Sequence, residues 1–478
     1  MNSTSPLVLV GFGIVVALII AARPSPAWRQ NVFLAASLVF VASLSRNPLA
    51  FLPLLGFLLA GHLAMRATAN ASLRTLALTI AGIVLLFVWL KRYPIIPSGL
   101  RLPYSYVTIG LSYVLFRLLH LIIEGHDDAA IARLSLGDYL RYVVGFTTLV
   151  AGPIMFYDEY AAEQHAMANG VTLADVGAGV ERIIVGLFKA SAVAALLASI
   201  RADAVASFRA GGSVATQSMA GAAVFGLYPL FLYCNFSGYI DIVIGISRLM
   251  GQRLPENFDR PFAATSVIDF WNRWHITLSR WLKRYVFNPL LIALLRRFNA
   301  RSAEPFLATL AFFVTFSLVG VWHGQTTAFL FFGFLTGLGV SANKLHQVLM
   351  ARMLGRKPYA SLAKHPMYRI AARGLNFTWF AFTLTWFWAS WNVASQLWAM
   401  TGRKRWALVW LGIFLVSSSM LALWEALHAR WESLESVRIS PLALLRVRTA
   451  WLTTLAVIAA AVVAISVQAA PELVYRDF

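Results

Sequence analysis

Charge is scarce in this chain: Asp, Glu, Lys and Arg together make up 13% of its 478 residues. A water-soluble protein of this length needs far more polar surface, so an ordinary soluble globule is excluded. Cysteine is nearly absent. The one thiol, Cys234, excludes an internal disulfide and any metal site built from several cysteines. No His-Glu-x-x-His segment occurs, which disfavours a zinc protease of that type. Internal repeats and Gly/Ser or Pro linkers are also missing. The longest polar stretches, 158–172 and 425–448, are too short for a separate soluble domain. The chain therefore reads as a single membrane-embedded domain over 1–478.

What stands in place of charge is apolar surface: 59% of the residues are hydrophobic and the mean hydropathy is +0.70. A helical span needs about 20 largely apolar residues. Candidates follow one another at 7–22, 33–43, 49–64, 76–90, 107–123, 139–155, 183–200, 220–246, 306–322, 326–341, 377–391, 406–424 and 450–469. Several are short. The expectation is an all-α, polytopic membrane protein of roughly 11 to 13 spans, re-entrant pieces included.

Forty Lys and Arg against twenty Asp and Glu leave a net charge of +20. In a soluble protein that excess would point to nucleic acid; here the cations sit between apolar runs, and nucleic acid is not the expected partner. The stretch 344–373 holds Lys344, Arg352, Arg356, Lys357, Lys364, Arg369 and Arg373 with no acidic residue, and so belongs in the cytoplasm. Counting onward puts 392–405 outside, 425–448 inside and the tail 471–478 outside. Arg403, Lys404 and Arg405 run against that count. No basic residue precedes the first apolar run while Arg23 and Arg29 follow it, the charge order of a retained first span with its start outside rather than a cleaved signal peptide. The location these signs imply is the inner membrane.

Between 270 and 285 the pattern changes. Trp271, Trp274, Leu278, Trp281 and Tyr285 recur at spacings of three and four, one stripe of a helix. Asn272, Arg273, Thr277, Ser279, Arg280, Lys283 and Arg284 occupy its other faces. Such a helix lies in the membrane interface. His275 falls at the edge of the stripe and can look inward.

His323 is the outstanding single residue. It closes the apolar run 306–322 in the tetrapeptide Val321-Trp322-His323-Gly324, and a second apolar segment follows at once. An ionisable group at that depth is costly and faces a cavity or a partner. A low dielectric favours the neutral imidazole, the form able to accept a proton from a hydroxyl. A structural histidine bonded to a nearby carbonyl fits the same residues, and both readings stay open. For His275 alone, the interfacial structural reading outweighs a catalytic one. His62, His120, His126, His165, His346, His365 and His428 lie near span ends or in loops and read as structural. Two histidines are too few for a zinc site, so no metal is expected. Asn235, Ser237, Tyr239 and Asp241 form a polar patch in an apolar run. Asp241 either pairs with Arg248, two turns on, or lines a water-filled path, and the pairing is the favoured expectation. Gly152-Pro153 predicts a kink in its span.

These residues belong to longer segments that resemble a known family. Residues 232–260 (LYCNFSGYIDIVIGISRLMGQRLPENFDR), 269–289 (DFWNRWHITLSRWLKRYVFNP) and 321–324 (VWHG) together resemble the bacterial branch of the membrane-bound O-acyltransferase family, with its alginate O-acetylation and teichoic acid D-alanylation systems. Residues 149–154 (LVAGPI) and 108–112 (TIGLS) add to the match, which is densest over 108–341. The resemblance implies a helical bundle around a central tunnel, with His275 and His323 as the tunnel histidines and His323 as the catalytic one. By the same analogy His323 deprotonates the attacking hydroxyl, while His275, Asn272, Arg273 and Trp322 orient the donor or stabilise the oxyanion. No cofactor is implied beyond a cytoplasmic thioester co-substrate, acetyl-CoA or an acyl carrier protein. The acceptor would be an extracytoplasmic polysaccharide or similar polymer, reached through a periplasmic or extracellular acyltransferase partner.

The ending Leu473-Val474-Tyr475-Arg476-Asp477-Phe478 resembles the Phe-x-Tyr-x-x-Phe ending of such systems, with Leu in the first place; by analogy Tyr475 relays the acyl group. The expected function is acetyl transfer, with D-alanyl transfer as the near alternative. A transporter or flippase for envelope precursors is the rival from another class, and it would show inverted repeats that this chain lacks.

Overall fold

A computed structural model describes residues 6–23, 25–166, 170–298, 303–435 and 441–465. Tyr475 and the rest of the tail lie outside these residues. The described chain is helical without a named strand; an isolated bridge joins Phe258 to Trp274. Among the described residues, seven helices are long and apolar enough to cross a bilayer: Pro48–Ala67, Leu73–Leu90, Leu173–Ala210, Val214–Leu249, Glu304–His323, Thr327–Met353 and Lys404–Arg430. Their outer faces are what lipid requires. On Pro48–Ala67, Leu55, Leu59 and Leu63 stand more than half exposed, while Leu54, Phe57, Leu58 and Met65 on the opposite side are buried. The protein is an all-α, polytopic membrane protein.

Several of the other expected spans fall on shorter helices, such as the apolar Pro6–Ala21, or on broken ones. Pro26–Ala42 and Leu111–Asp127 are 17 residues each and carry Arg29 and Arg117 inside them. The expected span 139–155 is not a helix at all. Leu136–Val143 stops after eight residues, Phe146–Leu149 adds one turn, and the chain then runs without helix through Gly152 and Pro153. Pro153 forbids the preceding residue a helical backbone. A Cβ on Gly152 would lie 2.5 Å from the Thr148 backbone, so only glycine fits this turn. The expected kink is thus a full break.

By contact, the described residues gather into two compact units. One comprises Met1–Ala190, Asn235–Pro255 and Ile458–Phe478; the other comprises Ser191–Cys234 and Glu256–Val457.

Within the first unit, Leu173–Leu187 and residues 235–249 approach at glycines. Cβ atoms on Gly186 and Gly238 would each come within 2.7 Å of the other's carbonyl oxygen, and those on Gly179 and Gly245 within 3.0 Å. Small residues are what let helix backbones come this close. Two ion clusters flank the seam. Asp241 accepts from Arg182 Nε and from Lys189 Nζ, both at 2.6 Å. Asp175 meets Arg248 and Arg253, both at 3.3 Å. The expected Asp241–Arg248 pair is therefore not formed. Seven residues along one helix separate two side chains by about 10 Å of rise, whereas the neighbouring helix offers cations in contact.

Within the second unit, Glu304–His323 turns back as Thr327–Met353 through Gly324, Gln325 and Thr326. Their backbones touch: a Cβ on Gly320 would run into Phe329 O and Gly333. Pro366–Trp388 packs against this hairpin, bringing Phe387 to within 5.2 Å of Phe332 (ring centroids). A separate aromatic core gathers Phe208, Phe225, Phe377 and Trp406.

Candidate functional site

Both histidines singled out from the sequence fall in the second unit, and each stands where a helix breaks or ends. Ser266 caps Val267–Arg273, its Oγ accepting from Asp269 N at 3.0 Å. That helix ends after seven residues. Trp274 is extended and His275 adopts a left-handed backbone, φ 45° and ψ 52°, before Ile276–Leu282 begins. The single helix expected over 270–285 is therefore two short helices, followed by a π-helical turn at Lys283–Phe287. The amphipathic division largely survives the break: Trp271, Trp274, Leu278 and Trp281 are buried, and Asn272, Arg280, Lys283 and Arg284 are exposed, but Thr277, expected on the polar side, is buried because its hydroxyl turns in to Asn257.

Asn257 holds the break in place. It is fully buried, and its backbone carbonyl accepts from Ile276 N at 3.0 Å. Its side-chain oxygen accepts from Thr277 N at 3.1 Å and from Thr277 Oγ1 at 2.9 Å. The same oxygen lies 3.3 Å from His275 Nδ1. A backbone N–H can only donate, so Thr277 fixes which end of the amide is oxygen. His275 Nδ1 must then carry hydrogen, leaving Nε2 as the basic nitrogen of the neutral ring. A left-handed non-glycine residue is strained, and this set of bonds is what sustains it.

His323 is the last residue of Glu304–His323, and Gly324 leaves it in extended backbone. A side chain on Gly324 would collide with the Phe329 ring, which fixes a glycine directly after the histidine. His323 is 4% exposed and His275 1%. Trp322 stands beside both imidazoles, its ring centroid 4.4 Å from His323 and 6.1 Å from His275. Phe387 and Phe332 close the far side of His323 at 5.1 and 5.8 Å. The two imidazoles are near enough to interact electrostatically. The result is two titratable rings in an aromatic, water-poor setting, an arrangement suited to moving one proton.

The other sequence candidates are placed differently. Asn272 is exposed. Arg273 is held by Asp269 at 3.0 Å and Asp259 at 3.4 Å, which ties the helix to the loop before it. The residues that sequence reasoning missed are Asn257, Thr277, Phe332 and Phe387. Asn257 stands in the Pro-Glu-Asn-Phe stretch of a recognisable segment, and that was its only signal.

The family model for the membrane-bound O-acyltransferases matches residues 73–372, a stretch that contains both histidines, Trp322 and Asn257. The chain belongs to the membrane-bound O-acyltransferase family. Among curated relatives, the teichoic acid D-alanyltransferase of Bacillus subtilis (strain 168) is 28% identical over 283 residues, 58% of this chain and 69% of its own length. The probable alginate O-acetylase of Pseudomonas syringae pv. tomato is 29% identical over 252 residues, 53% of this chain and 44% of its own. The peptidoglycan O-acetyltransferase of Helicobacter pylori is 30% identical over 249 residues, 51% of this chain and 43% of its own. The match thus spans less than half of the two O-acetylases.

In this family member, the Asn257–Thr277 contact can be tested directly. Asn257→Ala strands two buried Thr277 donors and is expected to cost about 1–3 kcal/mol. Adding Thr277→Val removes one of the stranded donors, so the double variant should lose less than the two singles summed. Unfolding midpoints in detergent read the cycle; strict additivity would count against Asn257 as the clamp.

Proposed function

We propose that this chain is a membrane O-acyltransferase that moves an acetyl group from a cytoplasmic thioester, acetyl-CoA or an acyl carrier protein, to hydroxyls of an extracytoplasmic polysaccharide or similar polymer. The observation that carries this reading is the pair of buried histidines flanking Trp322, with His323 at a helix end. In the reaction, His323 takes the proton of the acceptor hydroxyl as its oxygen attacks the thioester carbonyl. The new C–O ester bond forms, the C–S bond breaks, and the proton passes from His323 to the departing thiolate. His275, held by Asn257, orients the thioester through its basic Nε2 side, and the Trp322 indole N–H steadies the oxyanion. A periplasmic or extracellular partner would complete the delivery to the polymer.

D-alanyl transfer is the second reading. The D-alanyltransferase of Bacillus subtilis is matched over a larger share of its length than either O-acetylase named above. One experiment separates the possibilities. Envelope polymers are purified from cells with and without this chain, and mild base releases their esters for mass spectrometry. Acetate lost from the deletion strain supports the first reading and D-alanine the second. An unchanged ester profile, with a defect in the export of a precursor, would instead favour a transporter.

A further inference from the structure

The proposed chemistry leaves two family-like segments, 108–112 and 149–154, without a task. Pro153 of the second segment lines a cavity in the first unit, together with Arg117, Arg141, Tyr142, Thr147, Tyr160 and Gln252 among others. Arg117 is 3% exposed and lies on Leu111–Asp127, which begins within the first segment. Its Nη1 donates to Val143 O and its Nη2 to Thr148 O, both at 2.7 Å. Those bonds tie down the irregular chain leading into the second segment. They use two of the five N–H donors a guanidinium carries. Among the described residues Arg117 has no carboxylate partner. The side chains acting on it electrostatically are Tyr142, Tyr113 and Tyr160.

A buried cation without an anion is among the costliest arrangements in a protein interior, and backbone carbonyls offset it only through their dipoles. Arg141 contributes no net charge, being paired with Asp138 at 2.8 Å. The cavity wall therefore carries one buried cation with no carboxylate in contact; Asp158 and Glu159 reach this region only through Tyr142. A second polar group points the same way. Tyr160 is 8% exposed, and its buried hydroxyl has no hydrogen-bond partner. Tyr142, its neighbour, is satisfied, donating to Met155 O at 2.8 Å. Gln252, also on the wall and 3% exposed, brings an amide with two more N–H donors. Donors surround this space and no carboxylate lines it.

Size narrows the ligand. The space through which the centre of a water-sized sphere can move is about 10 Å³, room for one small ion or water and no more. Phosphate or a lipid headgroup does not fit there. We propose that this cavity is a binding site for a small monovalent anion of chloride size, held by the Arg117 guanidinium and the Tyr160 hydroxyl. The anion neutralises Arg117 and so stabilises the broken segment 143–156 on the Leu111–Asp127 helix. A water molecule would satisfy the hydroxyl and leave the charge unanswered, which is the difference the experiment reads.

The test uses the full chain purified in detergent, with unfolding midpoints measured in sodium chloride against sodium gluconate at equal ionic strength. Gluconate is too large for the cavity. The expected result is a midpoint that rises with chloride and saturates. Tyr160→Phe removes one hydrogen bond to the ion, so half-saturation should move to about tenfold higher chloride. Arg117→Gln should abolish the chloride response; if that variant does not fold, Tyr160→Phe alone decides. Equal wild-type midpoints in the two salts would overturn the site and leave water as the occupant. An unshifted half-saturation in Tyr160→Phe would overturn it as well, because chloride would then be acting elsewhere on the protein.

Discussion

His323→Ala is expected to lower acyl transfer by roughly 10²- to 10⁴-fold, the range that a positioned general base supplies. The imidazole sits among Trp322, Phe332 and Phe387, none of which can take a proton at neutral pH. His323→Gln keeps most of the volume and a hydrogen-bonding amide but cannot act as a base, so it should be as inactive as alanine. That comparison separates chemistry from packing: a structural histidine would be rescued by glutamine. His275→Ala should also reduce transfer, and its unfolding midpoint should fall because Asn257 and Thr277 lose the ring beside them. The measurement is ester content of the envelope polymer at matched membrane levels of each variant. Wild-type ester content in His323→Ala would remove it from the reaction.

Asp241→Asn should unfold the first unit more readily than any other single charge change there. Asp241 is 8% exposed and accepts from both Arg182 and Lys189, which are 31% and 27% exposed. Removing its charge leaves two cations facing each other at a helix seam. Breaking a buried pair in this way costs about 3–5 kcal/mol; the partial exposure of both cations puts the expected loss at the lower end. Asp241→Asn combined with Lys189→Met should recover part of it, since one stranded cation is then gone. Unfolding midpoints in detergent read the effect. No change in midpoint would mean that the glycine seam at Gly179, Gly186, Gly238 and Gly245 holds these helices without the ions.

Much of this protein is legible in one dimension. A composition that is 59% hydrophobic and 13% charged determines a membrane solvent, and apolar runs determine most helices, because span length and periodicity are local properties. His323 was legible for the same reason: an ionisable residue ending an apolar run stands out wherever the chain goes. The sorting of Trp271, Trp274, Leu278 and Trp281 inward was also legible, since a spacing of three and four survives even when the helix is cut.

What the sequence left open depended on residues far apart in the chain. A helix through 270–285 is the natural reading of the stripe, and it is broken at His275 where Asn257 takes the Ile276 and Thr277 amides from 19 and 20 residues away and Asp259 N donates to Arg273 O. Asp241 has a plausible partner in Arg248 on its own helix, yet it binds Arg182 and Lys189, 59 and 52 residues distant. Arg117 reads as one cation in a span until Val143 and Thr148 come round to meet it. Local pattern determines which residues are buried and which helices form. Which buried polar groups meet is decided by packing, because a hydrogen bond or ion pair forms only where tertiary structure brings its two halves within about 3 Å.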